Sequence, residues 1–232
     1  MSLDRALLSY LSSLFTSSKL ALMEKVLSAR TKYLTIVMED IYQPHNASAV
    51  IRSCDCFGIQ HVYFIENKNR YQVNPKITMG ATKWVSIQRF LSTPTHNATA
   101  RCMTELRKKG YRIIATSPHR KHSTPETISL EKPVAIFFGN EKEGLSDYVL
   151  EGADDYIYVP MYGFTESLNI SVSAAMVMKT IYERIVDPGE KIDWQLGEDD
   201  KNELRLDWLR KSLKKSDYII DDYYKNNNTK AY

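Results

Sequence analysis

Three stretches of the chain carry polar side chains whose types and spacing suit chemistry on a bound ligand. The first, Glu39 to Gly58, reads EDIYQPHNASAVIRSCDCFG. Pro44 blocks helix before it, and Asn46 occupies an N-cap position ahead of the periodic run Ala49, Val50, Cys54 and Phe57. Gly58 suits the C′ position that closes the helix. Arg52 follows the cap among small and apolar neighbours, where it can reach toward strand ends and hold an anion. The second stretch, FFGNEKEGLS, runs from Phe137 to Ser146. A strand ends at Gly139, which admits close approach to the backbone, Glu141 follows, and Gly144 precedes a new helix. The third, VPMYGFTESLNISVSAAMVMKTIYE, spans Val159 to Glu183 as strand, loop and long apolar helix. A phosphate-cradling turn would be rich in glycine. This loop has only Gly163 and instead crowds Thr165, Glu166, Ser167 and Asn169 around Leu168. Asn46 as a mere cap, and Lys142 with Glu143 as a solvated turn, are the structural alternatives.

Several chemistries are absent. The histidines are scattered, and His119 with His122 lacks carboxylate or thiolate company, so no metal is expected. Neither a Walker loop nor GxGxxG occurs, and Ser167 lies outside a GxSxG elbow with no histidine nearby. Cys54 and Cys56 sit two apart on a predicted helix and point in different directions; with Cys102 they are read as reduced thiols of a cytoplasmic protein. The net charge of +3 is weak evidence for nucleic acid. Its distribution says more, with basic clusters at Arg107-Lys108-Lys109, His119-Arg120-Lys121-His122, Arg210-Lys211 and Lys214-Lys215. No apolar run suits a membrane span. Asp4 precedes the first cation and no small-residue cleavage site follows, so the start is not read as a secretory signal.

These residues need a frame. Short β-branched runs alternate with helical periods, which predicts an α/β parallel sheet. Strands are expected at Leu34–Met38, His61–Ile65, Trp84–Phe90, Tyr111–Ser117, Val134–Gly139 and Tyr156–Met161. Helices are expected at Ala47–Phe57, Thr95–Lys109, Ser146–Glu151 and Leu168–Val186. Ligands bind such sheets at the carboxyl ends of strands, so the three stretches converge on one pocket, with backbone groups of Ala115-Thr116-Ser117 added. Residues 3–30 and 200–215 read as amphipathic helices, and the polar tail from Asp217 as frayed.

PHNASAVIRSCDCFG, FFGNEKEGLS and VPMYGFTESLNISVSAA, in this order and with GATKWV between the first two, resemble the SpoU (TrmH-like) family of RNA 2′-O-ribose methyltransferases in the SPOUT superfamily. The resemblance covers roughly residues 33–186. Within the family, MEDIYQPHNASA is most similar to the branch that methylates a D-loop guanosine (position 18) of tRNA. The alternatives are the same chemistry on rRNA, or a non-catalytic RNA-binding protein that keeps the fold. The resemblance implies a SPOUT-type parallel sheet with helices on both faces and a C-terminal trefoil knot. The organisation expected is an N-terminal helical extension (1–30), a methyltransferase domain (31–187) and a C-terminal helix with tail (188–232). It also implies S-adenosylmethionine as cofactor and a homodimer.

Carried over position by position, the catalytic set is Asn46, Arg52, Glu141, Ser167 and Asn169. The methyl donor is expected to contact Thr116, Gly139, Val159 and Leu168, and RNA to meet Arg30, His45, Lys83, Arg120 and Lys121. The family proposal makes the arginine a base, but a guanidinium hardly gives up its proton, whereas a phosphate clamp needs only charge and geometry. Glu166 stands where the tRNA branch carries glutamine.

Overall fold

The computed structural model describes residues 5–120 and 122–228. Along the chain come α1 (Arg5–Ser13), α2 (Ser17–Ser28), β1 (Leu34–Glu39), α3 (Pro44–Cys56), β2 (His61–Glu66), α4 (Pro75–Thr78) and β3 (Ser86–Leu91). Then follow α5 (Ala98–Lys108), β4 (Arg112–Thr116), β5 (Val134–Phe138), α6 (Asp147–Gly152), β6 (Asp155–Ile157), α7 (Ile170–Ile185), α8 (Glu198–Ser212) and α9 (Ser216–Asn228). They fall into an α/β unit, Thr31–Trp194, and a helical unit formed by the two terminal segments.

The α/β unit is built on a six-stranded sheet of order β3-β2-β1-β5-β4-β6 in which every neighbouring pair is parallel. Alternate residues of a strand point to opposite faces, and the two faces collect separate cores. Leu34, Ile36, Met38, Phe64, Ile114 and Ile136 pack with residues of α3 and α7, such as Val50, Cys54, Val177 and Ile181. Val37, Ile65, Ile113, Ala135 and Phe137 pack with Cys102, Leu106 and Val149 of α5 and α6. Central strands β1 and β5 are buried along their whole length, which explains their unbroken apolar sequence. Residues 188–194 stay with this unit, because Ile192 and Trp194 pack against the first core and Thr31 Oγ1 donates to Trp194 O at 2.7 Å.

In the helical unit, Leu7, Leu11, Met23, Leu27, Trp208 and Leu209 are buried. Arg205 grips Glu24 with Nε–Oε1 2.5 Å and Nη2–Oε2 2.8 Å. Of the tail expected to fray from Asp217, the part up to Asn228 is the helix α9, where Tyr223 stacks on Tyr10 with centroids 4.7 Å apart, and 229–232 lie outside the described residues. The pattern Tyr-Ile-Ile…Tyr-Tyr within that polar segment supplies an aromatic face. Strand β6 is shorter than expected, because the chain leaves the sheet at Tyr158, whose N–H turns to Ser123 O (3.0 Å). No helix among the described residues is long and apolar enough to cross a membrane.

Candidate active site

Strands β1 and β5 are neighbours from opposite halves of the sheet, so their carboxyl ends form the switch point where such sheets hold ligands. The chain leaves β1 through Asp40, at φ +51°, and leaves β5 through Gly139–Gly144. In the second loop Asn140 and Gly144 exchange backbone hydrogen bonds of 2.9 Å. A Cβ on Gly139 would lie 2.1 Å from the Gly144 carbonyl carbon, so this position requires glycine for close approach. Asn140 Nδ2 donates to Asp40 O at 2.7 Å and joins the two loops. The Asp40 carboxylate Oδ1 in turn accepts from the N–H groups of Asn67 and Lys68 at 2.7 and 2.8 Å.

Glu141 reaches across from the loop tip. Its Oε2 accepts the Tyr42 N–H at 3.0 Å, and its Oε1 accepts the Gln43 N–H at 3.2 Å and Asn46 Nδ2 at 2.8 Å. The placement of Asn46 corrects the sequence reading. Pro44 does not block the helix but starts it, as the first-turn position tolerates. Gln43 is the N-cap, without a side-chain cap bond. Asn46 therefore sits inside the first turn, buried and turned toward Glu141 rather than capping. The carboxylate from the other loop takes over the task of a local cap, and a negative charge at a helix start is favoured by the dipole as well. Gly58 holds its expected place after the helix, at φ +70°.

Asn46 also accepts. Asn169 Nδ2 donates to Asn46 Oδ1 at 3.2 Å, while Asn169 Oδ1 accepts Ser171 N–H at 2.8 Å and Ser171 Oγ at 2.6 Å. The result is a one-way relay, Ser171 to Asn169 to Asn46 to Glu141. Its direction is fixed at both ends, because a backbone N–H can only donate and a carboxylate can only accept. Burial alone would push the Glu141 carboxyl up, but the bonds from Asn46, Tyr42 and Gln43 outweigh it and hold the group below the ordinary carboxylate range. Glu141 is therefore an anchored anion and a weak base.

Arg52 and Ser167 are not part of this relay. Arg52 lies on the exposed face of α3 with His45 and Cys56, and its guanidinium has no hydrogen bond or ion pair among the described residues. The opposite face of α3 packs on α7, where Cys54 Sγ lies 3.4 Å from Met178 Sδ, and Ser48 Oγ accepts the Asn74 N–H at 2.8 Å from the segment after β2. Ser167 and Glu166 belong to the wholly exposed stretch 162–169.

Of the expected donor contacts, Thr116, Gly139 and Val159 stand at or just beyond the ends of three adjacent strands. Thr116 Oγ1 donates to Phe137 O at 2.8 Å, Val159 packs on the core, and Leu168 lies in the exposed loop. The expected RNA contacts divide. His45 and Lys83 are exposed. Arg120 is exposed but held by its own protein, with Nη1 donating to Leu150 O (3.0 Å) and Tyr156 Oη (2.7 Å). Arg30 is corrected: it is fully buried, with its guanidinium 5.3 Å from the Trp208 ring centroid, and offers no surface to a phosphate. Lys121 lies outside the described residues. No cluster of histidine, cysteine or acidic residues able to hold a metal ion occurs among the described residues.

Sequence reasoning missed Asp40, Tyr42, Asn140 and Ser171. Asp40 and Asn140 carried a usable signal, since each is an Asp or Asn within two residues of a strand end, a place where side chains bond local backbone.

Known proteins place this geometry. The family of the SpoU rRNA Methylase matches residues 33–179. A tRNA (guanosine(18)-2′-O)-methyltransferase of Borreliella burgdorferi is 41% identical over 90% of this chain and 92% of its own length. The TrmH/SpoU tRNA modifying enzyme of A. aeolicus superposes with a TM-score of 0.73 at 26% identity, covering 85% of this chain and 98% of that one. The SpoU methyltransferase AviRb from Streptomyces viridochromogenes, solved with AdoMet, shares the fold at a TM-score of 0.58 and 20% identity over 70% of this chain and 62% of that one. With its three motif loops gathered at one switch point and its family match over most of the α/β unit, the chain belongs to the SpoU rRNA Methylase family.

Proposed function

We propose that the chain transfers a methyl group from S-adenosylmethionine to the ribose 2′-hydroxyl of a D-loop guanosine, position 18, in tRNA. The observation that carries this is the 41% identity over 90% of the chain to a relative named for that reaction. The intact Asn46–Glu141–Asn169 relay supports an active enzyme over a binding protein that merely keeps the fold.

The residues fit the methyl donor by their chemistry. Thr116, Gly139, Val159 and Leu168 offer backbone groups and apolar surface without a positive charge that would repel a sulfonium. When bound, the donor supplies an activated methyl group; the protein's part is to present the hydroxyl in line with it. Asn46 and Asn169 hold their carboxamides in a fixed orientation beside that point. Arg52, exposed and without a partner among the described residues, is available to clamp the phosphate beside the target ribose, and a near-attack arrangement of this kind is worth several kcal/mol. Glu141 is a poor acceptor for the hydroxyl proton, because the donors on its carboxylate hold its proton affinity low.

The same reading includes a homodimer. Tyr162 is 97% exposed, Phe164 is fully exposed, and Leu168 in the loop, then Val172 and Met176 on α7, continue the apolar surface at four-residue spacing. Contiguous exposed apolar surface marks an interface. Sedimentation should give twice 26.8 kDa, and a monomer at micromolar concentration would remove the dimer from the proposal. The trefoil knot and a cytoplasmic location complete the reading. The knot is supported by Arg184 Nη1 donating to Pro125 O at 2.8 Å, which ties the end of α7 to the β4–β5 connection.

The decisive experiment maps ribose methylation across total RNA from a strain lacking the gene. Loss of one D-loop guanosine methyl is expected. An unchanged tRNA profile with a lost rRNA mark would move the substrate to rRNA, and no change in any RNA would leave a binding protein.

A further inference from the structure

Beside the relay stands an aromatic ring that none of these roles uses. Tyr42 comes directly before the α3 N-cap and is 57% exposed. Its main chain is nevertheless firmly held. Ile41 before it is buried, and its own N–H donates to Glu141 Oε2 at 3.0 Å. Lys142 Nζ lies 5.1 Å from the centroid of the ring, and the Lys142 N–H is pinned to Asn140 Oδ1 at 2.8 Å. Ring and cation thus sit on two loops that Glu141 and Asn140 lock together. Glu141 bonds both the Tyr42 N–H and Asn46 Nδ2, so the main chain that carries the ring is separated from the Asn46 carboxamide by a single carboxylate.

We propose that Tyr42, backed by Lys142, is a stacking platform for a purine base of the RNA, at or next to the nucleotide whose ribose is modified; this rests on the reading of the chain as an RNA methyltransferase. Loop nucleotides are recognised with their bases splayed out onto aromatic faces. Asn46 and Asn169 present carboxamides and offer a base no comparable flat surface. The ammonium covers one side of the Tyr42 ring, polarises it toward an electron-rich partner on the other, and adds attraction for the phosphate backbone. A second copy of the chain is the poorer occupant, since lysine is depleted from protein–protein interfaces.

Steady-state methylation of a tRNA transcript tests this. Tyr42→Ala should raise KM for RNA about tenfold or more, the range of one lost base–aromatic stack. The loss should fall on KM rather than kcat and leave donor affinity alone, and Tyr42→Phe should recover most of it. Lys142→Ala should lower the salt dependence of RNA binding by about one unit of slope. An unchanged KM in Tyr42→Ala overturns the platform. So does a Tyr42→Phe defect as deep as that of alanine, which would assign the role to the hydroxyl, or a Tyr42→Ala protein that falls apart into single chains. RNA affinity measured without donor separates the two readings: wild-type protein that binds tRNA but transfers no methyl group sinks the methyltransferase assignment, while the affinity of Tyr42→Ala still decides the platform.

Discussion

Replacing Arg52 by alanine is expected to slow methyl transfer by about 10²–10³-fold, the usual cost of removing one positioned charge from a reacting centre. Donor affinity should barely change, because Arg52 lies on the exposed face of α3 and is not one of the residues expected to hold the donor. Folding should be unaffected as well, since its guanidinium bonds to nothing among the described residues. Single-turnover transfer, calorimetry with the donor and a melting curve measure the three quantities separately. Arg52→Lys distinguishes a clamp from a proton acceptor. A clamp keeps part of its effect when the charge is kept, with no new pH dependence. A proton acceptor would make the lysine variant speed up as pH rises toward about 10, where an ammonium titrates. Near-wild-type turnover in Arg52→Ala would remove the residue from the reaction.

Glu141→Gln should be almost as damaging, although it changes one atom and no shape. Both carboxylate oxygens accept: Oε2 from Tyr42, and Oε1 from Gln43 and Asn46. An NH₂ in either place faces a donor. Asn46 can turn its carboxamide over to oblige, but its own NH₂ then meets that of Asn169. With the NH₂ at the Oε1 position the fault passes along the relay to the Ser171 N–H, which cannot reverse; with it at Oε2 the relay keeps its direction and the Tyr42 N–H loses its acceptor. An unsatisfied group costs about 1–3 kcal/mol, and the partly open site puts this one at the lower end. We expect a fall in kcat of about 10- to 100-fold, with a melting temperature lower by a few degrees. The wild-type carboxyl is held below its ordinary range, so its contribution is complete above the ordinary pKa of about 4.3 and fades as pH falls through the lowered folded value. The glutamine variant should lack that acid limb. Turnover within about twofold of wild type would show that the Glu141 charge and its full set of acceptor bonds are not needed for catalysis.

The parts legible in the sequence were those set by local pattern. Unbroken apolar runs marked β1 and β5, period-3.6 runs marked α5 and α7, and Gly58 marked the end of α3. The start of α3 was misread because its cap is not local. The approach DIYQ carries no conventional N-cap, and the missing acceptor arrives from Glu141, a residue that no window around Pro44 contains. Arg30 was misplaced for a related reason. Charge suggested a surface, but Trp208, far along the chain, supplies a ring against which the guanidinium is buried. Asn46, Glu141 and Asn169 were legible as a set through family resemblance. Their polarity was not, because Ser171, which helps to fix it, reads as an ordinary small residue of the first turn of α7.

The relay also has a history within each molecule's lifetime. Asn46 meets Glu141 across 95 residues and Asn169 across 123, whereas the cap of α5 finds its partner three residues away. Contacts so remote must first overcome loop-closure entropy, and chains rich in them fold slowly. On the ribosome, β1 and α3 are complete long before Ser171 has been made. A nascent or prematurely ended chain can display His45 and Arg52 to RNA while its carboxamides still lack a direction. Competence arrives only with the docking of α7, so the chain must be made past Ser171 before the site exists.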